Sequence, residues 1–138
     1  MVEVQLRQEI VIETEDRVGI VADVSRLLGD MGISLLSIVV HTGIRAGEET
    51  ARLHLLTDCQ SHAADALRIA GYSVEERDVI LMEIPHHPGF LSRMSQALAR
   101  REITIEELYA TVPDESSTGV VVLRCTDNRN AVLLLRGR

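Results

Sequence analysis

The sequence predicts an α+β fold of two consecutive βαββαβ units. Each is an antiparallel sheet with both helices on one face, and the second unit lacks its last strand. Three observations carry this reading. A glycine turn, an amphipathic helix and an apolar strand occur twice at one spacing, Gly89 standing 70 positions after Gly19 and Ile103 70 after Ile33. In each copy the apolar residues after the glycine recur at the i, i+3/i+4, i+7 spacing of one helical face. The flanking segments alternate apolar with polar residues or are rich in β-branched ones, as half-buried strands are. The repeat gives units at residues 1–77 and 78–138, and since no Gly/Pro/Ser-rich linker separates them they are expected to pack tightly or share an edge.

Taken in order, Leu6, Ile10 and Ile12 alternate with Arg7, Glu9 and Glu13 in a first strand. Asp16 offers a cap for a helix whose stripe is Ile20, Val21, Val24, Leu27, Leu28 and Met31, and Gly32 ends it. Ile33 to Thr42 reads as a second strand, and Gly43 to Glu49 as a hairpin loop. Ala51, Leu53 and Leu55 alternate with Arg52 and His54 in a third strand, which turns His54 to solvent. Thr57 and Asp58 offer caps for a helix with an Ala63, Ala66, Leu67, Ala70 stripe; Gly71 stops it before a strand at Tyr72 to Arg77.

The second unit repeats the plan. Its strand is Val79 to Ile84, its helix Gly89 to Arg101 and its next strand Ile103 to Val112. The loop Pro113 to Gly119 leads to a strand at Val120 to Cys125 and a short helix at Ala131 to Arg136 behind Thr126-Asp127. No fourth strand follows. The Val79–Ile84 strand, apolar at five of its six positions, is therefore expected to have a bare, sticky edge. A second copy covering that edge would make a homodimer. Between Tyr72 and Ile84 there is no turn residue, so the two strands there can run into one another.

Composition excludes several functions. The formal charge is −7 and aromatics are only 2%, so the chain repels phosphate backbones and cannot build a base-stacking surface. Nucleic acid is not an expected partner. Cys59 and Cys125 lack a CxxC or disulfide pattern, which fits a reducing compartment and a cytoplasmic protein. No apolar run approaches the eighteen or so residues of a membrane helix, and Met1 to Gln8 carry no signal-peptide core.

The glycine turns are the places to look for function. A strand that turns directly into a helix points free backbone N–H groups at one spot, and the helix dipole adds positive potential there. A carboxylate is a natural guest, and glycine lets it approach without a Cβ in the way.

The repeated pattern, Asp16-Arg17-Val18-Gly19-Ile20 with Gly32-Ile33-Ser34-Leu35, then His87-Pro88-Gly89-Phe90 with Glu102-Ile103-Thr104-Ile105, resembles the ACT domain. The end-to-end arrangement is similar to stand-alone tandem ACT proteins of the amino-acid-binding type, and the likeness spans nearly the whole chain. It implies ferredoxin-like units and a ligand where the turn of one unit faces the second strand of a neighbour. Here that implies Asp16, Arg17, Val18, Gly19 and Ile20 with Thr104, Ile105 and Glu106. The other set is His86, His87, Pro88, Gly89 and Phe90 with Ser34, Leu35 and Leu36. The ligand's ammonium would be met by Asp16, a strand carbonyl or Glu106. The second copy has His86 where the first has Asp16, so the stronger ligand response is expected at Gly19.

Other chemistry is poorly served. Ser25 and Ser95 have no His/Asp context, and Glu106 and Glu107 face opposite sides of a strand. There is no phosphate loop or dinucleotide fingerprint. Among His41, His54, His62, His86 and His87 no pair has the i, i+4 spacing of helical metal ligands. The expectation is a non-catalytic module without metal or cofactor. It would bind a small molecule, an amino acid, and act on a regulated enzyme. A ligand-free dimerisation module and a metal-binding protein or enzyme are the alternatives.

Overall fold

The helical stripes and strand alternation are realised as ten elements. The computed structural model describes residues 3–85, 87–111 and 118–137. They form β1 (Val4–Glu15), α1 (Ile20–Asp30), β2 (Leu35–Arg45), β3 (Glu48–Thr57), α2 (Gln60–Ile69), β4 (Ser73–Ile84), α3 (Phe90–Arg100), β5 (Ile105–Thr111), β6 (Gly119–Cys125) and α4 (Asn128–Arg136). The fold is α+β. Its six antiparallel strands are hydrogen-bonded in the order β2-β3-β1-β4-β6-β5, which leaves β2 and β5 with one neighbour each. No described helix is long and apolar enough to cross a membrane. Position 86 and positions 112–117 lie outside the described residues, and with them the His86 assignment and most of the Pro113–Gly119 loop.

The chain divides into two compact units, and the division cuts through two strands. Gln8–Arg77 form one unit; Met1–Arg7 with Asp78–Arg138 form the other. β1 and β4 each run for 12 residues, about twice an ordinary strand, so each is long enough to serve in both.

In the Gln8–Arg77 unit, β3 pairs with β1 (Ile10 opposite Leu55, Ile12 opposite Leu53) and with β2 (Ile38 opposite Leu55, Val40 opposite Leu53). Ile10, Ile12, Leu53 and Leu55 point from one face into a core closed by Ile20, Val24 and Leu28 of α1 and Ala63, Ala64 and Leu67 of α2. The small alanines let α2 lie close on the sheet. His54, expected in solvent, is buried on the opposite face at 7% exposure, its Nδ1 2.8 Å from Glu9 Oε1. Alternation did turn His54 away from the helices, but β1 sets a fully buried carboxylate beside it.

Capping also differs from expectation. α1 starts at Gly19, not behind an Asp16 side-chain cap; the Asp16 amide donates to Glu49 O at 3.2 Å. α2 starts at Cys59 without a side-chain cap. Asp58 instead accepts from the Ser34 amide at 2.9 Å and returns its own amide to Ser34 O. Asp127 does cap α4, accepting from the Asn130 amide.

In the composite unit β6 pairs with β4 (Ile80 opposite Leu123, Met82 opposite Val121) and with β5 (Leu108 opposite Leu123). Its core joins Ile80, Met82, Val121 and Leu123 to Met94 and Leu98 of α3 and Ala131 and Leu135 of α4. Among the described residues no strand follows α4. Its place is taken by the chain's own beginning: Val4 is 6% exposed in this core, and the Glu83 amide donates to Glu3 O at 3.1 Å. The Arg136 guanidinium donates to Val4 O at 3.4 Å from Nε and Nη2. The Val79–Ile84 segment is therefore not bare, which corrects the expected sticky edge and removes it as a reason for a second copy.

Candidate functional site

The two glycine turns are built alike. Gly19 has φ 89° and ψ 6°, Gly89 φ 87° and ψ −6°, and each precedes a helix as its N-cap. An L-residue pays about 1–2 kcal/mol in this left-handed region, which is why both turns carry glycine. Asp23 N–H donates to Gly19 O at 2.9 Å and Arg93 N–H to Gly89 O at 3.0 Å, opening α1 and α3 identically. Neither helix has a side-chain cap; in α1 the Ile20 amide donates to Arg17 O at 3.4 Å, and no such bond is made by the Phe90 amide among the described residues.

Their electrostatics differ in sign. In α1 the first turn carries Asp23, and Arg17 of the turn lies 2.7 Å from it. That hydrogen bond to Asp23 is the main cause of a raised Arg17 pKa. The positive end of α1 thus has its own anion. In α3 the first turn holds no acid, and Arg93 occupies the position 70 after Asp23. Its Nη1 lies 3.2 Å from where a Cβ on Gly89 would stand, and its Nη2 is 3.4 Å from His87 Nδ1. Among the described residues no carboxylate is within ion-pair distance of Arg93. A guanidinium laid over a helix N-terminus is a concentration of positive potential that no described side chain neutralises.

A cavity of about 510 Å³ opens at this second turn. Ile84, Pro85, His87, Phe90, Arg93, Met94, Thr118 and Leu135 line it with Glu3 and Glu83, all within the composite unit. Phe90 is half-buried, and His87 stands edge-on to it with ring centroids 5.7 Å apart. The volume lies within the range of small-molecule sites.

The other expected site residues fall as follows. Asp16, Arg17 and Val18 are exposed around Gly19, while Ile20 points into its unit's core at 5%. Ser34 and Thr104 open β2 and β5, and their amides are already used, by Asp58 at 2.9 Å and by Thr126 Oγ1 at 3.1 Å. Leu35 and Ile105 pack against the cores of their own units, and Leu36 is exposed. Glu106, considered as an acceptor for an ammonium, is paired with Arg124 Nη1 at 3.1 Å. His87 and Phe90 meet in the cavity, with Pro88 and Gly89 forming the turn between them. Sequence reading missed Arg93, Met94, Thr118 and Leu135. A signal for Arg93 was present, because the repeat inverts charge there.

Comparison with known proteins agrees with this construction. The family profile described as ACT domain matches residues 9–69. No curated protein matches the chain in sequence. Among solved structures, the crystal structure of protein BT0572 from Bacteroides thetaiotaomicron is similar with TM-score 0.84 at 20% identity, covering 97% of this chain and 89% of that one. The regulatory subunit of aspartate kinase from Thermus flavus gives 0.65 at 22%, covering 98% and 92%. That from Thermus thermophilus, in its ligand-free form, gives 0.62 at 19%, covering 97% and 95%. At these identities the likeness is one of fold. The ACT domain match covers 61 of the 138 residues, within the Gln8–Arg77 unit.

Proposed function

We propose that the chain is a non-catalytic regulatory module of tandem ACT type. It binds a small molecule, an amino acid, at its strand-to-helix glycine turns and passes the bound state to a regulated enzyme. The observation that carries the reading is the α3 N-terminus. It is uncapped, has no acid in its first turn, and has Arg93 folded over Gly89 at the mouth of a 510 Å³ cavity. A carboxylate there meets both a guanidinium and oriented amides. At Gly19 the Arg17–Asp23 pair already fills that role. We therefore place the principal site at Gly89, reversing the order expected from the acid at Asp16.

The ACT domain match over residues 9–69 and the regulatory subunits that share the fold support a regulatory role over an enzymatic one. Titration calorimetry with the twenty amino acids tests it. Saturable heat from at least one, with affinity weakened in Arg93→Gln, is expected; heat from none rejects the reading in favour of a ligand-free module.

Self-association belongs to the proposal on a new footing. β2 has one neighbour, and its Leu36, Ile38 and Val40 are exposed at 55%, 38% and 40%, so an edge-bearing apolar row is open to a second copy. Sedimentation at micromolar concentration tests the homodimer. Free Cys59 and Cys125 are consistent with the cytoplasm.

A further inference from the structure

Among the described residues the Gly89 cavity has one arginine, Arg93, and an apolar floor. Ile84, Met94 and Leu135 form that floor at 8%, 2% and 0% exposure, with Phe90 as the wall. Arg93 stands at the mouth. Glu3 and Glu83 also border the space, but the strand alternation that turns Val4, Met82 and Ile84 into the core turns these two side chains to the other face. The Glu3 carboxylate is indeed met by Gln5 Nε2 at 3.3 Å, two residues along the same face. What these two glutamates offer the cavity is main chain.

Resting on the function proposed above, we infer that this site takes a carboxylate bearing a compact branched aliphatic body, and that it reads the carboxylate and the aliphatic group, not the ammonium. The carboxylate sits against Arg93 and the α3 N-terminus. The aliphatic group fills the space above Ile84, Met94 and Leu135. A charged side chain placed there loses its hydration without gaining a partner. An α-ammonium held beside a guanidinium and the positive end of a helix gains nothing from either.

The test is calorimetry on the full chain with four probes: leucine, 4-methylpentanoate (the same skeleton without the amine), glutamate and lysine. Leucine and 4-methylpentanoate are expected to bind within about threefold of each other, and glutamate and lysine about tenfold or more weakly. Arg93→Gln is expected to weaken leucine and 4-methylpentanoate alike, by about tenfold. Leucine binding without 4-methylpentanoate binding means that the ammonium is read. That overturns the inference and leaves the proposed function standing, as does tighter binding of glutamate, lysine or any polar amino acid than of leucine. Heat from no amino acid overturns the proposed function and the inference with it, and so does leucine binding untouched by Arg93→Gln.

Discussion

Replacing each turn glycine by alanine separates what the turns do for folding from what one of them does for binding. Both positions have left-handed φ, 89° and 87°, so both variants carry the same backbone penalty, about 1–2 kcal/mol for an L-residue. Alanine also restricts the unfolded chain, which returns about 0.4–1 kcal/mol. The net loss is thus about 1 kcal/mol at either site, or a fall of about 3–5 °C in Tm for a chain of this length. The added Cβ meets nothing within 4 Å at Gly19 but stands 3.2 Å from Arg93 Nη1 at Gly89. The guanidinium tip is mobile and yields, so stability suffers little more, yet it leaves the helix N-terminus. Gly89→Ala is therefore expected to weaken leucine about tenfold, while Gly19→Ala leaves affinity unchanged. Urea denaturation and calorimetry on the two variants read both quantities. Full affinity in Gly89→Ala, or a loss confined to Gly19→Ala, would refute the assignment of the site to the second turn.

Val4→Ala removes buried volume from the composite core and should cost about 1–2 kcal/mol in urea unfolding; no loss would mean that the N-terminal strand is not part of that core. His54→Ala withdraws a partner from the fully buried Glu9 side chain and should cost about 3 kcal/mol, with a loss below about 1 kcal/mol counting against a strong contact between them. The Cys125 thiol is pushed up to about 11, chiefly by burial and then by Glu106 and Asp127. An unfolded thiol ionises near about 8.5, so this contribution is fully present below that pH and is lost as pH rises toward 11, by at most about 1.4 kcal/mol per pH unit. A urea series between pH 8 and 10.5 should show the decline in the native protein and less of it in Cys125→Ala. Half-buried Cys59 should be alkylated well before buried Cys125 at pH 8, and equal rates by mass spectrometry would contradict the burial.

What the sequence determined by itself is what depends on neighbours along the chain. Apolar spacing placed α1 and α3, because helical faces repeat every few residues, and alternation placed β1 and β3. The steric preference for glycine marked both turns, since φ near +90° penalises any side chain wherever the chain later packs. The 70-residue repeat therefore carried the element order, the α+β class and the two turns. Tertiary structure decided whatever depends on partners distant in sequence. Val4 fills the core beside Leu135, and Glu3 takes up the Glu83 amide, because a strand place was open there and β1 was long enough to fill it. His54 looked solvent-facing because alternation reports a face and not what lies beside it; in the fold it is buried with Glu9 of β1 2.8 Å away. Asp58 looked like a helix cap and instead binds the Ser34 amide, a bond that exists only once β2 and β3 have paired. Arg93 became a site residue for the same reason. Its charge was visible in the chain, but only folding sets it over Gly89, beside an apolar floor drawn from β4, α3 and α4.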